Sequence, residues 1–258
     1  MSVLGWIIAF SVFGSLLSVV TAAGYLLLPE RTRARSLTFL VSFATGVLLG
    51  VAFIHLLPHA LHGASPHDSN AIMVTVLLGI FVFFILEKAL IWRHAHHHGH
   101  DASYEHRGDQ SAGSLIVVGD TFHNFLDGIL LTAAFVTDVH LGIATGFALI
   151  AHEIPQELGD FAILINSGMS RLRAFILNGV TSLAMVIGAL VAWWGIQHVQ
   201  AALPYILAFT AASFIYIAVA DLIPSLHRGV RLKDTVAQMV LIAAGILLIA
   251  AFHSTEIV

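Results

Sequence analysis

The chain has 258 residues, of which 58% are hydrophobic and only 10% charged, and it carries a formal net charge of −4. With a mean hydropathy of +0.92, this usage lies far from that of water-soluble domains and marks an integral membrane protein. The absence of cysteine excludes disulfides, thiolate metal sites and thiol redox chemistry, and leaves imidazole, carboxylate and amide groups as the available ligands.

In chain order, eight apolar stretches are long enough to cross a hydrocarbon core about 30 Å thick, at roughly 3–28, 36–62, 71–93, 113–136, 140–168, 171–197, 202–226 and 232–253. An all-α bundle of eight transmembrane helices is expected. The first stretch runs on from Val3 to Leu28 without the short apolar core and small-residue cleavage site of a secretion signal, so it reads as a retained span. The connections are short and polar except the third. Residues 94–112, which open His94-Ala95-His96-His97-His98-Gly99-His100, read as a histidine-rich, low-complexity loop inside a single transmembrane domain covering 1–258. Because neutral imidazole is a common ligand, this loop is either a reservoir for released metal or a solvated linker. A modulatory role, dispensable for the main activity of the chain, is the reading favoured.

Topology follows from the cations. Arg31, Arg33 and Arg35 lie in the first connection, Arg93 and Arg107 in the third, Arg171 and Arg173 in the fifth, and Arg228, Arg231 and Lys233 in the seventh. The even connections hold no Lys or Arg, so the positive-inside bias places the odd ones in the cytoplasm and both termini outside. The near absence of extramembrane sequence suggests a bacterial inner membrane.

The fourth and fifth stretches break the apolar pattern. Between Gly119 and Phe135, and between Ile143 and Leu164, stand His123, Asn124, Asp127, His152, Glu153, Gln156, Glu157 and Asp160. Ionisable groups near a bilayer centre cost at least about 2.5 kcal/mol each, so they persist where they face a wet cavity, a partner or an ion. The turn from Thr137 to His140 is too short to do anything but join antiparallel neighbours. Asn124 and His152 each lie fourteen residues from Asp138, about 21 Å along a helix, so the two polar clusters are expected level with each other. His123 and Asp127 are spaced i, i+4, as are His152 and Gln156, and each pair presents two ligand atoms from one face. Together they make a four-ligand pocket. Asn124, Glu153 and Glu157 are rotated about 100° from that set and line an adjacent one, which makes a binuclear or two-step site plausible. Pro155 removes a backbone donor and clashes with the carbonyl of Ala151, so a kink is expected at the ligands.

These residues resemble the paired signature of the ZIP (Zrt/Irt-like) metal transporters. His123-Asn-Phe-Leu-Asp127-Gly128 and His152-Glu-Ile-Pro155-Gln-Glu157-Leu-Gly-Asp160 match it in the branch whose fifth span reads HExPxELGD, and the likeness covers essentially the whole chain. His55-Leu-Leu-Pro58-His59 and Asp221-Leu-Ile-Pro224-Ser-Leu-His227 fall at family-like positions. The resemblance implies a 3+2+3 arrangement with inverted repeats around the central pair, often as a homodimer. It also implies a transport site at His123, Asp127, His152 and Gln156, with Asn124 and Glu153 beside it. Gln156 departs from the His or Glu common there, and the sixth span offers only Asn178, Thr181 and Ser182 where some relatives place a Glu.

The expected function is uptake of a divalent cation, zinc first, with iron, manganese, cadmium and cobalt as alternatives, since ligand type selects poorly among borderline ions. His55, His59 and His62 share a face near the outer end of the second span and read either as metal passage or as interfacial polarity. Asp221, with no intramembrane Lys or Arg to neutralise it, reads as lining the cytoplasmic exit together with His227. A cation-diffusion-type exporter also uses His-x-x-x-Asp pairs, but its usual six spans and soluble C-terminal domain are not matched. An intramembrane zinc hydrolase would add a poised water, a general base and a separate catalytic constellation. Nothing in the pattern suggests an organic cofactor or a nucleic-acid surface; the lipid bilayer and the metal are the expected partners.

Overall fold

The computed structural model describes residues 1–25, 27, 29–62, 64–96, 105–196, 200–227 and 232–254. Among these residues there is no strand. The first helix, α1, is Val3–Tyr25, and α2 runs from Glu30–Gly50 through a π-helical turn, Val51–Leu56, into Leu57–Leu61. Helices α3 (Pro66–His96), α4 (Glu105–Thr137), α5 (Val139–Asn166) and α6 (Arg171–Ile196) follow. Then α7 repeats the form of α2, with Leu203–Tyr216, a π-helical turn at Ile217–Leu222 and Ile223–Leu226, and α8 is Leu232–Ser254.

Six segments are long and apolar enough to cross a membrane, namely Val3–Tyr25, Ser36–Leu61, His67–Ala89, Arg171–Gly195, Leu203–Leu226 and Leu232–Phe252. The other two long helices, α4 and α5, carry the acidic and imidazole groups. The helices overrun the apolar stretches where polar helix formers continue them, as apolarity bounds the hydrocarbon crossing and not the helix. Thus α3 reaches His96 and α4 starts at Glu105, so both ends of the stretch 94–112 are helical and not loop. Residues 97–104 of that stretch lie outside the described residues.

Between α4 and α5 only Asp138 intervenes. It takes an extended backbone (φ −157°, ψ 144°), and its carboxylate accepts the backbone N–H groups of His140 and Leu141 at 2.7 and 3.0 Å, a side-chain N-cap that starts α5 at once. The two helices therefore return antiparallel along each other. Helix α4 packs closely on α6, α2 on α8, α3 on α7, and α1 against both α5 and α6. At the α4–α6 crossing a side chain is excluded from both partners. A Cβ on Gly128 would overlap the carbonyl oxygen of Met185, and one on Gly188 that of Phe125. Small residues at such crossings let backbones approach where hydrophobic driving force between helices is absent.

The core is continuous from Leu48 and Leu56 through Leu131, Phe135, Leu141 and Leu149 to Phe214, all buried. Large apolar side chains such as Phe13, Leu77, Phe81, Leu183, Met239 and Leu247 point outward, as expected where the surrounding solvent is hydrocarbon.

Candidate metal centre

The α4–α5 hairpin brings the two polar clusters together. His123 Nε2 lies 3.4 Å from Asp127 Oδ2, one helical turn on. Across the hairpin, His152 Nε2 lies 3.3 Å from the same oxygen and 3.4 Å from His123 Nε2. Glu153 Oε1 is 3.6 Å from His123 Nε2 and 3.9 Å from His152 Nε2. These four side chains each offer one ligand atom, all within 4.8 Å of one another.

The spacing has a simple geometric meaning. Zinc bonds of 2.0–2.2 Å to imidazole nitrogen and carboxylate oxygen require ligand atoms about 3.3–3.6 Å apart along the edges of a tetrahedron. Of the five edges just given, four fall in that range and the fifth exceeds it by a few tenths of an ångström. Asp127 Oδ2 and both oxygens of Glu153 accept no hydrogen bond, although they are buried. Buried carboxylate oxygens left without donors are costly unless a cation supplies the missing charge. His152 is also oriented for such a role. Its Nδ1–H donates to the carbonyl of Ala148 at 3.0 Å, so the Nε2 lone pair faces the cluster.

The fourth side chain in this cluster is Glu153, where the expected set had Gln156. On α5, Glu153 reaches the cluster, while Gln156 Nε2 turns to Asp120 Oδ1 at 3.4 Å. Glu and Gln side chains are equal in length, so it is the way α5 faces α4, bringing position 153 to the cluster, that overrides the i, i+4 register that favoured Gln156. Asn124 likewise points to Asp120 and not to the imidazoles. Glu157 is fully buried. Its Oε1 accepts the Ser182 hydroxyl at 2.7 Å, its Oε2 has no hydrogen-bond partner, and its backbone carbonyl accepts Asn178 Nδ2 at 3.4 Å. The sixth-span hydroxyl therefore serves a neighbouring carboxylate. Helix α5 runs through Pro155 without interruption.

A cavity of about 900 Å³ leads away from the cluster, lined by His123, His152, Asp120, Gln156, Asp160 and Asp221 among others. The side chain of His123 is 21% exposed against 1% for His152 and 4% for Glu153, so His123 is the most open of these three toward the cavity. Leu37, Ile116 and Leu226 also line it, in the halves of α2, α4 and α7 nearer the arginine-bearing connections. Glu87 of α3 and Tyr216 of α7 share this wall, with the phenol donating to the Glu87 carboxylate. His227, exposed beyond the end of α7, is not among its lining residues.

His55 and His59 lie apart from the cluster. His55 is fully buried in the π-turn of α2, its Nε2 3.2 Å from the Ile249 carbonyl of α8, and His59 Nδ1 lies 2.8 Å from the His55 carbonyl. The two rings stack with centroids 6.4 Å apart.

Sequence reasoning passed over Asp120, Glu87 and Tyr216. Asp120 had a legible signal, because it precedes Asn124 by four residues and shares its face. Glu87 sits beside Lys88 near a helix end, where an acid is unremarkable, and Tyr216 carried no signal.

The sequence profile described as the ZIP zinc transporter family matches residues 3–114 and 93–253 of the chain. A protein named zinc transporter ZIP13 from Pongo abelii is 32% identical over 83% of the chain and 66% of its own length. Zinc transporter YKE4 from Saccharomyces cerevisiae is 32% identical over 74% of the chain and 61% of its own length. A zinc transporter ZIP13 homologue from Drosophila melanogaster is 30% identical over 84% of the chain and 77% of its own length. The chain thus spans slightly under two thirds of the first two of these relatives. With a profile match from Val3 to His253, this chain belongs to the ZIP zinc transporter family.

Proposed function

We propose that the protein carries divalent transition-metal ions, zinc foremost, across a membrane into the cytoplasm through a site between α4 and α5. The observation that carries this reading is the set of tetrahedral edge distances among His123, Asp127, His152 and Glu153. Asn124, Gln156 and Glu157 surround that cluster, and iron, manganese, cadmium and cobalt fit the same donor types. Mixed imidazole and carboxylate donors replace a hydration shell without the permanence of a closed thiolate site, as cargo that must leave again requires.

In this reading all eight long helices span the bilayer, and both termini face outside. The first and last three form inverted repeats about α4 and α5. Two features support the repeat. Helix α2 packs on α8 as α7 packs on α3, and both α2 and α7 contain a π-turn that carries a polar residue three positions before a proline, at His55–Pro58 and Asp221–Pro224. Inward release is supported by the cavity, which runs from His123 past Asp160 and Asp221 toward the end that carries the arginines.

Uptake into proteoliposomes tests the proposal. His123→Ala and His152→Ala should each abolish zinc flux while the protein still inserts, and no hydrolytic product should appear with the wild type. Undiminished flux in either variant removes the site.

A further inference from the structure

Asp120 is 5% exposed and lies one turn before Asn124 on α4, outside the set of residues that the ligand pattern selected. Its Oδ1 accepts Asn124 Nδ2 at 2.8 Å and Gln156 Nε2 at 3.4 Å, and Asn124 Nδ2 also donates to the Asp120 backbone carbonyl at 3.1 Å. A primary amide binds a metal ion through its oxygen alone, and an ionised carboxylate can only accept hydrogen bonds. Facing Asp120, each amide must present nitrogen. Which way the two amides point is therefore decided by one carboxylate that lies outside the four-residue cluster.

This orientation has a consequence for the cation. Five edges of the cluster lie at or near tetrahedral length, and the neighbouring amides on α4 and α5, Asn124 and Gln156, each carry an oxygen of the kind that binds a cation. If either oxygen swung in, the shell would grow to five or six donors rich in oxygen, which suits manganese and other hard or larger ions better than zinc. Resting on the metal-site reading above, we infer that Asp120 is a specificity-determining positioning residue, which holds the amides of Asn124 and Gln156 by their nitrogens and so keeps the cation shell at four donors. Gln156 then acts as part of this clamp and not as a ligand.

Cobalt(II) is the probe, because its visible absorption is intense when four-coordinate and weak when five- or six-coordinate. With the purified full chain in lipid nanodiscs, the wild type should give the intense four-coordinate spectrum. Asp120→Ala should shift it toward the weak form and lower the preference for zinc over manganese in competitive uptake by about tenfold, the lower end of effects seen for partners that orient ligands. Asp120→Asn keeps an oxygen acceptor for both amides and should restore the wild-type spectrum. Gln156→Leu removes the amide altogether and should keep the four-coordinate spectrum, a result independent of how Asp120→Ala folds. A wild-type spectrum and metal preference in Asp120→Ala, or loss of the four-coordinate bands in Gln156→Leu, overturns the inference. His123→Ala separates this from the parent reading. If His123→Ala leaves the cobalt spectrum unchanged, the metal site itself is misplaced, whatever Asp120 does.

Discussion

His123 and His152 face each other with their Nε2 atoms 3.4 Å apart, and Asp127 Oδ2 lies within 3.4 Å of both. Neither imidazole belongs to the other's helix. Their meeting depends on the Asp138 cap, which turns the chain in a single residue, and on equal helical distances on either side of it. Since the Nδ1–H of His152 is committed to Ala148, its Nε2 carries a lone pair into a space already edged by carboxylate oxygens without donors. Lone pairs that converge in this way repel one another until a cation enters.

The identity of the fourth ligand can be tested by rank. Glu153 contributes an oxygen to the cluster and Gln156 does not. Glu153→Gln should therefore weaken zinc binding by at least about tenfold, comparable with the loss of a well-placed ligand partner. Gln156→Leu should change it much less. Zinc competition on the purified protein gives both numbers, and the reverse order would return the fourth position to Gln156.

That ranking also shows what the sequence could and could not disclose. The helical stretches and the meeting of His123 with His152 follow from apolar length and from counting residues back from Asp138. Both need only the rise of a helix. The choice between Glu153 and Gln156 needs the crossing angle and the side-chain rotamers, which a spacing rule does not contain. The same holds for His55. Its place in a family-like motif left open passage or polarity, and the buried contact with the Ile249 carbonyl depends on where α8 packs against α2. The π-turns themselves were not legible, because the polar residue in each, His55 in Val51–Leu56 and Asp221 in Ile217–Leu222, interrupts the apolar pattern without signalling a change of helical hydrogen bonding.

Ser182 holds a carboxylate that has little else. Its hydroxyl donates to Glu157 Oε1 at 2.7 Å, and Oε2 has no hydrogen-bond partner in the buried surroundings. Ser182→Ala should destabilise the protein by about 1–3 kcal/mol, the cost of a buried polar group that loses its donor. Thermal unfolding in detergent reads this directly. An unchanged midpoint would mean that another group, such as a bound ion, neutralises Glu157.

Gly188 tests the contact that sets the depth of Asp127. A Cβ there meets the carbonyl oxygen of Phe125, two residues before Asp127. Backbone cannot yield as a flexible side chain can, so Gly188→Val should push α4 and α6 apart. Overpacking of this kind costs about 1–3 kcal/mol or more. Zinc uptake should fall with stability, and a variant that keeps both would show that the crossing has slack.

Asp221 provides the last test, because its position separates binding from release. It stands in the π-turn of α7, exposed on the wall of the cavity that begins at His123, and it is not one of the four clustered ligands. In the proposed inward route, an ion leaving the cluster passes along the cavity that this carboxylate lines. Asp221→Asn removes the charge and keeps the size. A group that acts only after the ion has left its tight site should change the maximal rate while barely moving apparent affinity. Proteoliposome uptake at several zinc concentrations should then show the maximal rate falling severalfold, with the half-saturating concentration within about twofold of wild type. A large rise in that concentration at an unchanged rate would instead place Asp221 among the groups that capture the ion.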